Sequence, residues 1–121
     1  MTSSIEIKES SLIARPECEI DHLTAERLRA QIDSAFEKSS CRNIIFDFSN
    51  VSFMDSSGIG MIIGRYKSAE KRGGRLAITG MSDAMTRLYT ISGLAKIIIR
   101  TDTVEEALAK ISEKVSFGRD I

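Results

Sequence analysis

Asp55-Ser56-Ser57-Gly58 sets a carboxylate and two hydroxyls directly ahead of the helically spaced apolar residues Ile59, Ile62, Ile63 and Tyr66. Capping a helix takes one Asp or Ser, not three polar residues in a row, so the surplus points to a second role. A serine in a first helical turn carries phosphate at small cost, because free backbone N–H groups and the positive end of the helix dipole face the added charge. Phosphorylation there would leave the fold intact and act on whatever docks against it. Ser57 as a nucleophile is the competing chemistry. The nucleophile-elbow pattern asks for Gly where the chain has Asp55, and the single histidine, His22, would have to fold back with Asp21 as base and orienter. A small hydrolase built on Ser57, His22 and Asp21 is the enzyme-class alternative.

Gly58, Gly60 and Gly64 read G-x-G-x-x-x-G rather than G-x-G-x-x-G, and no G-x-x-x-x-G-K-[ST] occurs. The spacing argues against a nucleotide loop and leaves Gly58 and Gly60 to let the first helical turn pack closely. Cys18 and His22 stand four residues apart with Cys41 distant, so a zinc site lacks its fourth ligand. No metal, cofactor or catalytic residue is expected, and both cysteines read as small core or edge fillers.

The elements that must hold this cluster follow from periodicity. Ile5, Ile7 and Leu12 to Ala14, separated by polar Lys8 to Ser11, predict a β-hairpin. Asp21 caps a helix whose buried face is Leu28, Ile32, Ala35 and Phe36, ending near Ser39 and Ser40. Ile44 to Phe48 reads as a central strand, and the helix opened by the Asp55 cluster stops at Gly73-Gly74. Leu76 to Thr79 is a strand, Ser82 caps a helix with Met85 and Leu88 that Gly93 ends, and Ile97 to Ile99 is the last strand. Thr103 and Glu106 form a capping box ahead of Val104, Ala107, Leu108 and Ile111. The order ββαβαβαβα predicts an α/β domain, residues 1–121, with a mainly parallel, mixed sheet of about five strands flanked by about four helices.

Composition bounds the partners. The chain has 121 residues, 42% hydrophobic and 28% charged, with 17 basic and 17 acidic side chains. That length supports one core without disulfides, and two cysteines suit a reducing, cytoplasmic setting. Zero net charge argues against a nucleic-acid partner, and neither a signal peptide nor an apolar run near the roughly 18 residues of a membrane span is expected. The balance is uneven: residues 1–60 carry 6 Lys/Arg against 10 Asp/Glu, a net −4, and residues 61–121 carry 11 against 7, a net +4. An acidic half suits a basic partner surface.

Phe53-Met54-Asp55-Ser56-Ser57-Gly58-Ile59-Gly60, followed by Ile63-Gly64-Arg65-Tyr66-Lys67, resembles the signature of the anti-sigma factor antagonists of the STAS domain family, on its sporulation branch. Glu19-Ile20-Asp21-His22 with Thr24-Ala25-Glu26, Arg87-Leu88, Ser92-Gly93-Leu94 and Lys96-Ile97-Ile98 extend the resemblance over nearly the whole chain. Cys18 departs from it, standing where the family usually has Gly. The resemblance implies that Ser57 is the phosphorylated serine. It implies that the unphosphorylated protein captures an anti-sigma factor, itself a serine kinase of the GHKL ATPase type, and so frees a sporulation sigma factor. Phosphate transfer from ATP to Ser57 ends the capture, and a phosphoserine phosphatase resets it. Glu19 and Asp21 match acidic residues that contact the kinase, and Asp55, Ser56, Gly58, Ile59 and Gly60 complete the partner-binding segment. Another STAS regulatory module, a stress-response antagonist or a transporter-associated domain, is the alternative within the family.

Overall fold

The alternating Ile5 and Ile7 lie in β1 (Ser3–Lys8), and the apolar run after them forms β2 (Ser11–Pro16). The two pair antiparallel from Ser3 opposite Pro16 to Lys8 opposite Ser11. β3 (Asn43–Asp47), β4 (Leu76–Thr79) and β5 (Ile99–Thr101) add in chain order, giving the sheet β1-β2-β3-β4-β5 with β2 to β5 parallel. The computed structural model describes residues 3–117, with side chains through residue 113. The ends of the expected 1–121 domain lie outside the described residues. No helix among the described residues is long and apolar enough to cross a membrane.

Right-handed crossovers between successive parallel strands put α1 (His22–Glu37), α2 (Ser56–Lys71) and α3 (Asp83–Ile91) on one face of the sheet. Strand alternation then divides the core. Leu12, Ile44, Phe46, Leu76 and Ile78 meet Leu28, Ile32, Phe36, Ile59, Ile62 and Tyr89 on that face. Ile13, Ile45 and Ala77 point the other way, onto Val104, Ala107 and Ile111 of α4 (Val104–Phe117).

Three details differ from the sequence expectation. The last strand is Ile99–Thr101, not Ile97 to Ile99, because Leu94–Lys96 forms a 3₁₀ turn. The Ile97 and Ile98 N–H groups both donate to the Leu94 carbonyl, and the Ile98 carbonyl accepts from the Tyr89 hydroxyl at 2.8 Å. At the start of α4, the Glu106 N–H donates to Thr103 Oγ1, but the Glu106 carboxylate accepts from the Asp102 N–H, one residue earlier than a capping box requires. On α2 the buried stripe is Gly58, Ile59, Met61, Ile62, Arg65 and Ala69, while Ile63 and Tyr66 are only partly buried. The helix packs on α1 as well as on the sheet, so its covered face is rotated and includes an arginine.

The lower ends of α1 and α2 are tied together. Arg72, the C-cap residue of α2, donates through Nη1 to the carbonyls of Phe36 at 3.0 Å and Cys41 at 2.7 Å, with its guanidinium 4.0 Å from the centre of the Phe36 ring. A cation near the C-terminus of α1 also meets the negative end of that helix's dipole. Gly74 is required close by, since a Cβ there would run into the Arg42 carbonyl.

Candidate functional site

The segments entering α1 and α2 run side by side. Ile20 bridges Met54 in parallel, the Ile20 N–H donating to the Phe53 carbonyl at 2.8 Å and the Asp55 N–H to the Ile20 carbonyl at 3.1 Å. This rung holds the two helix starts at one end of the sheet and brings Asp21 and Asp55 there as their N-caps. The caps share one backbone conformation, φ −108°, ψ −168° at Asp21 and φ −103°, ψ −170° at Asp55.

Their hydrogen bonding differs. At α1 the Asp21 carboxylate accepts from the Thr24 N–H at 3.0 Å, and Thr24 Oγ1 accepts from the Asp21 N–H at 2.8 Å, closing a reciprocal box. The Thr24 N–H, and the Thr24 hydroxyl lying 3.0 Å from the same Asp21 Oδ1, hold the exposed Asp21 carboxyl below the usual carboxylate range. At α2 the Asp55 carboxylate accepts from the Ser57 N–H at 2.8 Å, and the residue equivalent to Thr24 is Gly58, which has no side chain to reply with. The Ser56 and Ser57 hydroxyls bond to no other described residue. Ser56 is exposed and Ser57 half-buried.

Gly58 and Gly60 do different things. A Cβ on Gly58 would meet the Met54 side chain and, at 3.2 Å, Ile20. Gly58 is therefore needed for close packing, as expected. Around Gly60 nothing lies within 4 Å, so the expectation of close packing fails there; Gly60 is exposed. Ile59 is buried beneath them, and Glu19 is exposed beside Asp21.

Between α1 and α2 runs a groove of about 380 Å³ lined by Ser57, Gly60, Gly64 and Arg65 on one wall and by His22, Ala25, Glu26 and Arg29 on the other. Arg65 is the residue that the sequence reading missed. Its side chain is 9% exposed, and its Nε stands 3.0 Å from Asp33 Oδ1 of α1. This is an ion pair outside hydrogen-bond alignment, and Nη1 has no partner among the described residues. Burial pulls the guanidinium's pKa down while Asp33 raises it. The spacing 58, 62, 65, 69 could have found it, since position 65 falls on the buried stripe.

The hydrolase arrangement is not assembled. His22 and Ser57 line the same groove, but the Asp21 carboxylate is engaged by Thr24 and does not orient His22. No group of three or more His, Cys, Asp or Glu able to hold a metal ion occurs among the described residues. Cys41 is buried and Cys18 half-buried, its thiol pKa raised mainly by burial. A wider depression of about 560 Å³ beside β5 and α4 is lined by Arg100, Asp102, Glu106 and Lys110 and includes none of the candidate residues.

Residues 2–108 match the STAS domain. The chain is 39% identical over 100 residues to an anti-sigma F factor antagonist of Paenibacillus polymyxa, an alignment covering 83% of this chain and 86% of the relative. The solved structure of the anti-sigma factor antagonist SpoIIAA in its unphosphorylated form superposes with a TM-score of 0.80 at 30% identity, covering 92% of this chain and 96% of that one. The Bacillus cell fate determinant SpoIIAA in its phosphorylated form superposes at 0.71 with 32% identity, covering 91% and 99%.

Proposed function

The chain belongs to the STAS domain family, and we propose that it is an anti-sigma factor antagonist of the sporulation type, a cytoplasmic partner-switching protein inactivated by phosphorylation of Ser57. The unphosphorylated protein captures an anti-sigma factor that is also a serine kinase of the GHKL ATPase type and thereby frees the sigma factor. Transfer of the γ-phosphoryl of ATP to Ser57 ends the capture, and a phosphoserine phosphatase restores it. The single observation that carries this reading is the unclosed start of α2. Ser57 sits in the first turn with its hydroxyl uncommitted, its N–H held by Asp55, and a glycine where α1 has the residue that seals the cap. The anti-sigma F factor antagonist relative and the existence of a phosphorylated SpoIIAA structure support it.

In this reading Glu19, Asp21, Asp55, Ser56 and Gly60 meet the partner, whereas Gly58 and Ile59, both buried, set the shape of the turn from below. Phosphate adds about −1.5 to −2 charge near pH 7 beside Asp55 and Asp21. The same carboxylates that draw in a basic surface would then be joined by a dianion that must be desolvated on docking. Each ~1.4 kcal/mol of that penalty lowers affinity tenfold. The test is incubation with the candidate kinase and ATP, followed by intact mass and peptide mapping. One phosphate on Ser57 is expected; phosphate on Ser56, or none, overturns the assignment. Capture of a stress-response anti-sigma factor in preference to the sporulation one would move the protein to the other branch of the family.

A further inference from the structure

Five large apolar side chains stand exposed among the described residues: Ile7, Leu23, Phe53, Ile91 and Ile97. Scattered single exposures are ordinary. Leu23 and Phe53 are not scattered. Phe53 supplies the carbonyl that accepts from Ile20, and Leu23 lies in the first turn of α1, two residues after Asp21. They flank the rung that joins the two helix starts, and they are 57% and 50% exposed while Ile20 and Met54 between them are buried. Their backbones are held by the rung and by the Asp21–Thr24 box, so docking would freeze only side-chain rotamers. Glu19 and Asp21, both exposed, lie within four residues of Leu23 in the chain, and the partly exposed Asp55 lies two residues after Phe53. An apolar centre with a charged rim is the anatomy of a binding surface whose energy comes from a few central side chains.

We propose that Leu23 and Phe53 are the apolar anchors of the docking surface, and that the partner presents an apolar recess rimmed by cationic side chains. The inference rests on the partner-capture reading above. The rim carboxylates steer the encounter and the two anchors hold the complex, so anchor variants act on its dissociation rate. The experiment is calorimetric titration of the full chain and of Leu23→Ser, Phe53→Ser and the double variant with the purified anti-sigma factor. Thermal unfolding and Ile91→Ser, an exposed residue at the far end of α3, serve as controls. Each anchor variant is expected to weaken binding about tenfold or more with an unchanged melting transition, and Ile91→Ser to leave binding unchanged. If the unmodified chain fails to bind, the partner-capture reading falls. If it binds and the double variant loses less than tenfold, or Ile91→Ser loses as much, the anchors are wrong and the reading stands.

Discussion

α1 and α2 start alike and finish their first turns differently. Both are 16-residue helices entered from an extended Asp N-cap, and the rung between Ile20 and Met54 holds those starts together. Yet Thr24 returns a hydrogen bond to Asp21, and Gly58 cannot return one to Asp55. The sealed start is a structural joint. The unsealed one leaves two hydroxyls in front of a helix dipole, available to chemistry brought from outside. The contrast teaches that a hydroxyl can be left uncommitted by omission: what distinguishes the proposed site is a missing side chain at position 58 as much as the serine at 57.

The sharpest way to test the contrast is to put a charge at the unsealed start. Ser57→Asp is expected to fold with an unchanged melting transition and to lose about 100-fold or more in affinity for the anti-sigma factor, while Ser57→Ala binds and takes no phosphate. Tight binding by the aspartate variant would sink the switch. Next in size is Gly58→Ala, which pushes a methyl group against Met54 and Ile20; urea unfolding should report a loss of roughly 1–3 kcal/mol. Gly60→Ala has the opposite sign. Its Cβ meets nothing, so the variant should gain up to about 1 kcal/mol from helix propensity. If both alanines destabilise equally, the two glycines are not different in kind. Smallest is the effect on Asp21. Its folded carboxyl is held low by Thr24, so its contribution is complete above the ordinary carboxylate range and is lost as pH falls through the lowered value. Thr24→Val removes the hydroxyl's share, and an NMR titration of the Asp21 carboxyl should find it shifted back up toward the usual range.

The fold and most of the helix caps were legible because they are local. Asp21, Ser82 and the Gly73 turn each act within a few residues, and the apolar run of β3 needs both faces of the sheet covered. What could not be read is non-local. Ile97 to Ile99 has the composition of a strand, but the Leu94 carbonyl and the Tyr89 hydroxyl claim its first two residues. Gly58 and Gly60 look alike in sequence, and only the position of Met54 separates them. The spacing places Arg65 on the buried stripe of α2, but its partner Asp33 appears only when α1 is laid alongside. For the site, Ser57 was named by residue type and motif, whereas the exposure of Leu23 and Phe53 depends on two segments 30 residues apart meeting at one rung.

Arg72 gathers carbonyls from the end of α1 and the turn after it, and the Asp33–Arg65 pair ties the same two helices midway. Contacts at the foot and at the waist hold the two helices in one arrangement. In that arrangement the site is already open, so an affinity measured for a partner is expected to be the intrinsic one, undiminished by a population factor. It follows that the set-point of the proposed switch would not be written in this chain's own conformational equilibrium. It would lie in the relative speeds of the kinase and the phosphatase, with this domain serving as the memory in which their contest is recorded.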